Sequence, residues 1–370
     1  MSGSNTVSAV HGAAGFKSAR GVGIDITTWQ LMGAAALANR LVLGWIYWGG
    51  ASRRFIYSTQ KIDPTSPGYL ANKLVHAAPG VPFGLEGLMH WILAQPVLLQ
   101  AAVIGFSLVE LVVGVGLMVG FATRLMSLIG LGLAAFLMIV FGWMGTTCLD
   151  EWTMAACGFA MAAVTLVTGS GPLSVDNWLA KRGQTENRPW LAWFASGGLP
   201  IDKETCLRIS WILGALSIAF TVFFYGFNFN AIYSPLHKRV NNLHPHVALS
   251  QGVVADGRVS VNTYMNAGPD TQGLYVVRAV LAPAGAGAAP VFDYDAAALT
   301  RKGTVTIANR YAPWSTCKKI AYGLRCQLGS KATLSFALPA GQAVSAGTPL
   351  VLTLTDVEGK QFKLPIAAGH

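Results

Sequence analysis

The chain has 370 residues, of which 53% are hydrophobic and only 11% are charged. Soluble domains carry about 25% charged residues, so this composition and several long apolar runs exclude an ordinary soluble enzyme and predict a multi-pass membrane protein. The formal net charge is +10, but no basic motif interleaved with aromatic residues is present, which argues against nucleic-acid binding.

The first apolar run covers residues 29–50 and carries one arginine, Arg40, in its middle. As a helix, a run of this length reaches about 33 Å, enough to cross a hydrocarbon core of about 30 Å. A charge at that depth is costly unless it is paired or faces water, so Arg40 is a candidate functional residue. Residues 1–28 are polar, lack the apolar core of a cleaved signal peptide, and are predicted to form a cytoplasmic N-terminal segment.

Four further spans are predicted, at residues 97–121, 125–145, 152–168 and 209–229. The loop before the second span ends in a segment, EGLMHWILAQP, that indicates a short re-entrant or interfacial helix. With the N-terminus inside, the inner segments hold eight Lys and Arg residues and the outer loops hold four, which favours that orientation. We therefore expect residues 29–229 to form a transmembrane domain in the cytoplasmic membrane, with the chain beyond it in the periplasm.

The C-terminal domain, residues 234–370, is predicted to be an all-β sandwich of immunoglobulin-like type. Its alternating runs, such as GRVSVNTYM and PLVLTLTD, are separated by turn residues. Residues 230–370 hold 13 Lys and Arg against 6 Asp and Glu. This excess reflects either solubility or adaptation to an acidic exterior, or else attraction of an anionic substrate or of anionic lipid headgroups. Cys317 and Cys326 are expected to form a disulfide, the alternative being two buried free thiols.

Glu110 is buried in the second span and is the predicted partner of Arg40. Counted from the span ends, Arg40 lies about 16 Å from the inner surface and Glu110 about 20 Å below the outer surface. The pair either fixes the register of the two helices or forms a polar gate that lines a quinone or proton path.

Arg53 and Arg54 follow the first span at its outer end. They either extend to lipid headgroups or bind an oxyanion, for which the planar guanidinium is a favoured donor. His90, in the outer loop, is either structural or a further contact to a substrate.

Cys148 lies at the outer end of the third span, and Cys157 lies within the fourth. They are either small packing residues or a pair that exchanges with a sulfur nucleophile. The carboxylates of Asp150 and Glu151 beside Cys148 raise rather than lower a thiol pKa, which counts against an activated thiolate.

Trp45, Trp48 and Trp143 lie in the outer halves of their spans, where they either belong to an aromatic belt or stack on a flat ring. The sequence contains no GxGxxG, Walker or CxxCH motif and no Cys/His zinc spacing. Consequently no nucleotide, c-type haem or metal site is predicted.

Two stretches of the helical part, RLVLGWIYWGGASRRF and ELVVGVGLMVGFATRL, resemble the DoxD/DoxX membrane family, which implies a four-helix core, here with a fifth span. The C-terminal stretch YAPWSTCKKIAYGLRC resembles the DoxA partner. A chain that joins both parts resembles the fused thiosulfate:quinone oxidoreductases. This resemblance implies oxidation of thiosulfate to tetrathionate outside the cytoplasmic membrane, with a quinone of ubiquinone type or similar as the electron acceptor.

The candidate residues then divide into catalytic (Cys148, Glu110, Arg40), thiosulfate-binding (Arg53, Arg54, His90) and quinone-binding (Trp45, Trp48, Trp143). The expected partners are thiosulfate, the membrane quinone pool and the lipid bilayer, and a homo-oligomer is left open. Two rival functions are a non-enzymatic membrane anchor or assembly protein with a partner-binding β-domain, and a quinone-linked thiol oxidase that uses Cys148 and Cys157.

Overall fold

The computed structural model describes residues 28–144, 151–183, 193–195, 201–224, 241, 244–269, 272–285, 289–311, 316–342, 344 and 347–367. Within these residues, apolar helices form the N-terminal part of the chain, and antiparallel sheets form the C-terminal part. The predicted combination of a membrane helical bundle with a β-domain is therefore confirmed.

The first apolar stretch forms two helices, α1 (Thr28–Ala35) and α2 (Leu37–Ser52), and a π-helical turn, Arg53–Tyr57, extends α2. Ala36 separates the helices, so the run predicted as one span is interrupted. The break is small, because the Ala36 amide donates to the Met32 carbonyl and the Arg40 amide donates to the Ala36 carbonyl, each at 3.0 Å.

The loop that follows is largely helical. It contains a 3₁₀ turn at Thr59–Lys61, helix α3 (Ala71–Ala77), a second 3₁₀ turn at Ala78–Gly80, and helix α4 (Leu85–Leu93). Helix α4 lies in the segment predicted to be a short interfacial helix.

Four helical segments among the described residues are long and apolar enough to cross a membrane. They overlap the second to fifth predicted spans. They are α5 (Pro96–Val119), α6 (Thr123–Phe141), α7 (Glu151–Thr168) and the segment Lys203–Val222, which consists of α9 (Lys203–Ile218) and part of a π-helical turn, Ala219–Phe224. A short helix, α8 (Val175–Lys181), lies between α7 and α9.

Helix α2 packs along α5 through facing glycines. A Cβ atom on Gly114 would lie 2.5 Å from the backbone nitrogen of Trp48, and one on Gly44 would lie 3.0 Å from the carbonyl oxygen of Gly114. The contact at Gly114 leaves no room for a side chain and the one at Gly44 would crowd it, and small residues are what allow two helix backbones to approach so closely. The glycine contact therefore fixes the register of α2 against α5.

The β-domain is a sandwich of two antiparallel sheets. One sheet has the strand order β1-β2-β8-β5, and the other has the order β10-β9-β3-β7-β6 with β4 paired to β3. Side chains from both sheets, such as Val261 and Leu352, share one apolar core. The elements are β1 (His246–Ala255), β2 (Arg258–Ala267), β3 (Leu274–Pro283), β4 (Phe292–Tyr294), α10 (Ala296–Thr300), β5 (Val305–Asn309), β6 (Cys317–Ile320), β7 (Gly323–Cys326), β8 (Lys331–Ala337), β9 (Pro349–Asp356) and β10 (Gln361–Ala367).

The sandwich packs on one end of the helical bundle. Val81 and Trp143 belong to the same apolar cluster as the sandwich core, and Tyr311 packs with Leu99 and Val103 near the start of α5. A Cβ atom on Gly329, in the turn before β8, would lie 1.8 Å from the carbonyl oxygen of Val75. The contacts of Tyr311 with α5 and of Trp143 with the sandwich core place the start of α5 and the end of α6 at the sandwich end of the bundle.

Candidate functional site

Glu110 is paired with Arg54, not with Arg40. Arg54 Nη1 donates to Glu110 Oε2 and also lies 3.2 Å from the Ser107 hydroxyl. Both charged side chains are nearly buried, with exposed fractions of 12% and 13%. The predicted Arg40–Glu110 pair is therefore wrong.

The register of α2 against α5 explains why the prediction failed. The two helices are antiparallel and meet at Gly44 and Gly114. Arg40 precedes Gly44 by four residues and Glu110 precedes Gly114 by four residues, so the two charges are displaced in opposite directions. Their axial separation is about 12 Å at 1.5 Å per residue. The depth of each residue, estimated from the ends of its predicted span, had placed the two charges at a similar level.

Arg40 lies at the other end of the bundle and is 1% exposed. Its guanidinium donates to the Leu117 carbonyl at 3.0 Å and to the Leu173 carbonyl at 2.9 Å. A Cβ atom on Gly120, where α5 ends with φ of +69°, would lie 2.1 Å from Arg40 Nη1. The site therefore requires glycine for both its backbone conformation and its lack of a side chain.

A buried carboxylate, Asp176, supports this end of the bundle. Its oxygens accept the backbone N–H groups of Ala122 at 2.8 Å and Thr123 at 3.0 Å, where α6 begins. Asp176 thereby satisfies amides that a helix N-terminus leaves without an intrahelical partner. It also attracts the positive charge of Arg40. Arg40 and Asp176 therefore have a structural role and hold α2, α5 and α6 together.

A group of cations surrounds the sandwich end of α2. Arg53 is exposed, Arg54 is nearly buried, and Lys61 lies between these extremes. Burial lowers the pKa of Lys61, and the charges of Arg53 and Arg54 lower it further. Three cations close enough to repel one another attract an anion. We call Arg53, Arg54 and Lys61 the cationic mouth.

A polar network joins α4 to the sandwich. The Tyr264 hydroxyl donates to Glu86 Oε1 at 2.6 Å and lies 3.3 Å from His90 Nε2. The Tyr311 hydroxyl lies 2.9 Å from His90 Nδ1. Lys331 Nζ sits 4.5 Å from the centroid of the Tyr264 ring. The network therefore connects helix α4 to two places in the sandwich, Tyr264 on β2 and Tyr311, while Lys331 packs on Tyr264 from the neighbouring strand β8.

Burial shifts the pKa values of the groups in this network. It lowers the pKa of His90, an effect that Lys331 strengthens and Glu86 opposes. Burial also raises the pKa of Tyr264 and of Tyr311 and lowers the pKa of Lys331. A neutral imidazole donates from one nitrogen and accepts at the other, so His90 can bond to both tyrosines at once.

The three tryptophans occupy different surroundings. Trp45 is 65% exposed on the outside of α2, and Trp48 is half-buried. Trp143 is 6% exposed, donates its indole N–H to the Ala77 carbonyl at 3.0 Å, and covers Gly80. Trp143 thus belongs to the contact with the sandwich, whereas Trp45 lies on the outside of α2.

The cysteines separate into a disulfide and single thiols. Cys317 and Cys326 are paired across β6 and β7 and are bonded as a disulfide, as expected. Cys157 is an exposed free thiol on α7. Cys148, a candidate catalytic residue, lies outside the described residues. Within the described part of the chain, no group of three His, Cys, Asp or Glu side chains is placed to bind a metal ion.

Two family models match consecutive parts of the chain. Residues 36–202 match the model described as TQO small subunit DoxD, and residues 229–364 match the model described as TQO small subunit DoxA. Together these matches cover most of the 370 residues. The chain belongs to the DoxD/DoxA family. It is a fused DoxD–DoxA protein, so it is related to the small subunits of thiosulfate:quinone oxidoreductase.

The similar solved structures are distant. The archaellum periplasmic stator protein FlaG from Sulfolobus acidocaldarius is 12% identical and covers 33% of this chain and all of its own, with a TM-score of 0.23. Astrotactin-2, a vertebrate-specific perforin-like membrane protein, is 14% identical and covers 35% of this chain and 22% of its own, with a TM-score of 0.18.

The DoxD and DoxA parts meet at the polar network. Glu86 and His90 belong to the DoxD part, whereas Tyr264, Tyr311 and Lys331 belong to the DoxA part. Sequence reasoning found His90 but missed the other four residues. The spacing of Glu86 and His90, four residues apart on one helix, was a usable signal. The sequence around Tyr264, Tyr311 and Lys331 contains no such signal, because only the fold brings these residues to α4.

Proposed function

We propose that this protein oxidises thiosulfate to tetrathionate on the side of the membrane that carries the DoxA-like sandwich, and that it passes the electrons to membrane quinone. Two thiosulfate ions become one tetrathionate and release two electrons, and a quinone takes up these electrons with two protons to become a quinol. The observation that carries this proposal is that one chain matches both TQO small-subunit families.

We assign thiosulfate to the cationic mouth. The anion carries two negative charges, and guanidinium groups are favoured donors to oxyanions. Because Arg54 is held by Glu110, Arg53 and Lys61 make the first contact, and Arg54 supplies charge from behind them. His90 is assigned a supporting place at the outer side, since its network holds the sandwich to the helix that precedes α5.

The coupling of two thiosulfates is assigned to Cys148. Its thiolate and one thiosulfate form a cysteinyl thiosulfonate and release two electrons to the quinone. A second thiosulfate then attacks the sulfur–sulfur bond, which yields tetrathionate and restores the thiolate. An unchanged turnover number after Cys148→Ala would exclude this covalent step. Two thiosulfates would then be coupled directly, without an intermediate on the protein.

The overall reaction is tested with the purified full chain in lipid nanodiscs. We expect thiosulfate-dependent reduction of a soluble ubiquinone analogue, followed by its absorbance, with one tetrathionate formed for each quinone reduced. Folded protein that reduces no quinone would support a membrane anchor instead. Reduction with dithiothreitol but not with thiosulfate would support a thiol oxidase.

The cationic mouth is tested by Arg53→Gln with Lys61→Gln. The double variant should raise KM for thiosulfate by about fivefold to tenfold, corresponding to about 1 kcal/mol, with a smaller change in kcat. Lys318→Gln with Lys363→Gln removes two exposed cations from the sandwich, on β6 and β10, and serves as the control for net charge. Equal KM values for the double variant and the control would move the thiosulfate site elsewhere.

A further inference from the structure

Three phenylalanines form an aromatic surface where α5 meets α6. The centroids of the Phe106 and Phe136 rings are 5.4 Å apart, and those of Phe136 and Phe141 are 6.2 Å apart. Phe136 is 38% exposed and lies in a helix long and apolar enough to cross a membrane. We call these residues the phenylalanine face, and its exposed part is open to lipid.

The phenylalanine face adjoins the buried ion pair. The Arg54 guanidinium carbon lies 5.7 Å from the centroid of the Phe106 ring. Glu110 follows Phe106 by four residues on α5, and residues at this spacing share a helix face. A Cβ atom on Gly50 would lie 3.3 Å from Glu110 Oε2, so the absence of a side chain there keeps α2 from covering the carboxylate.

This combination matches the chemistry of a quinone. The quinone ring is flat and stacks on aromatic side chains, and such contacts contribute about 0.5–1.5 kcal/mol each. Its two carbonyl oxygens accept hydrogen bonds, which Arg54 can donate. Its reduction consumes two protons, which a carboxyl group can deliver. Its isoprenoid tail requires an opening to lipid, which the exposed part of Phe136 provides.

We propose that the phenylalanine face, together with Arg54 and Glu110, binds the ring of the membrane quinone. This inference rests on the proposed function and gives it a location that replaces the three tryptophans. Arg54 donates to a quinone carbonyl oxygen. The quinone receives two electrons from the pair of thiosulfates and two protons in succession through the Glu110 carboxyl, which is reprotonated from solvent at the cationic mouth. Because Arg53 adjoins Arg54, the site for the electron donor, thiosulfate, lies next to the site for the electron acceptor, quinone.

Photolabelling tests the location directly. The full chain in nanodiscs is illuminated with an azido derivative of ubiquinone, and labelled peptides are mapped by mass spectrometry. We expect the label on α5 or α6 near Phe106 and Phe136, and we expect excess ubiquinone to compete with it. Phe136→Leu or Phe106→Leu should weaken that competition by about fivefold to tenfold, the equivalent of one aromatic contact.

Phe159→Leu is the matched control, because Phe159 also pairs with an aromatic ring, Phe220, at 4.9 Å between two membrane helices. It should leave labelling unchanged. An equal loss in the control, or a label at the apolar cavity of about 410 Å³ lined by Arg124, Leu166 and Trp193, would overturn the assignment.

A further variant separates this inference from the proposed function. Glu110→Gln should keep the photolabel while thiosulfate-dependent quinone reduction falls. A specific label at the phenylalanine face without any thiosulfate-dependent turnover would refute the proposed function and leave the quinone site standing. Normal turnover with the label elsewhere would refute the quinone site alone.

Discussion

Arg40 lies on α2 and Arg54 lies on the π-helical turn that extends α2, yet the bundle holds them with different partners. Arg40 donates to two backbone carbonyls, those of Leu117 and Leu173, whereas Arg54 donates to a carboxylate. A buried cation whose hydrogen bonds go to backbone carbonyls, in a site closed by glycine, is not accessible to a substrate. A cation held by a carboxylate can be shared with an incoming anion or carbonyl oxygen. Arg40 therefore reads as structural and Arg54 as functional.

The structural role of Arg40 is tested by Arg40→Met. The variant loses both hydrogen bonds to the carbonyls, so we expect the unfolding free energy to fall by about 3 kcal/mol, seen as a lower Tm in detergent. KM for thiosulfate should stay within about twofold of the native value. A native Tm with strongly reduced turnover would instead place Arg40 on the redox path, as the sequence first indicated.

At the scale of helices, the contact between Gly44 and Gly114 aligns Arg54 with Glu110. Gly114→Ala introduces a Cβ atom 2.5 Å from the backbone nitrogen of Trp48, which forces α2 away from α5. We expect a loss of about 2–4 kcal/mol in stability and a loss of quinone reduction, measured by thermal unfolding and by the nanodisc assay.

Gly105→Ala supplies the control on the same helix, because a Cβ atom there would meet no atom within 4 Å. Since alanine favours a helix over glycine by about 1 kcal/mol, this variant should be as stable as the native protein or more so. If both alanine variants behaved alike, the glycine contact would not be what sets the register.

Helix α4 makes the contact between bundle and sandwich sensitive to pH. His90 is faced by Glu86 on its own helix and by Tyr264, Tyr311, Lys331 and Arg310 from the sandwich. Burial lowers the pKa of His90 in the docked state, so protonation favours the undocked state. The stability contributed by this contact is present above the ordinary histidine pKa of about 6.5 and is lost as pH falls through the lower, docked value.

Hydrogen exchange checks this prediction. On moving from pH about 7.5 to pH about 5.5, we expect strand β2 and the backbone at Arg310 and Tyr311 to lose protection in the native protein, after correction for intrinsic exchange rates. His90→Gln should remove that pH dependence. His246→Gln alters a histidine that lies within the sandwich, bonded to Asn266 at 2.6 Å, and should keep it.

For the molecule as a whole, the sequence predicted what depends on local pattern. The apolar runs of α5, α6 and α7 and the strict alternation of β2 and β9 are visible in short windows, so bundle and sandwich were both predictable. The Arg54–Glu110 pair was not predictable, because it depends on the antiparallel register of α2 and α5, which is set by two glycines. The polar network was not, because Glu86 and Tyr264 are 178 positions apart and meet only when the sandwich docks.

The helix directions also predict the topology of the chain. Helix α2 runs antiparallel to α5, so we expect it to cross the membrane beside α5, and we expect α6, α7 and α9 to follow in turn. Five such crossings would place the end of α9 at the same end of the bundle as the start of α5. The sandwich docks at that end, so the path of the chain agrees with its position. With the N-terminus inside, as the loop charges favour, we predict that the sandwich lies outside.

Thiol labelling of cells tests this topology. Lys363→Cys places a thiol on the exposed edge of β10, while the native Cys206 lies in the first turn of α9, at the opposite end of the bundle. In spheroplasts, an impermeant maleimide should label the thiol at position 363 directly and Cys206 only after permeabilisation. The reverse pattern would put the sandwich in the cytoplasm, where the disulfide between Cys317 and Cys326 would face reduction. It would also separate the cationic mouth from thiosulfate supplied from outside, so the direction of this one domain decides on which side the proposed reaction begins.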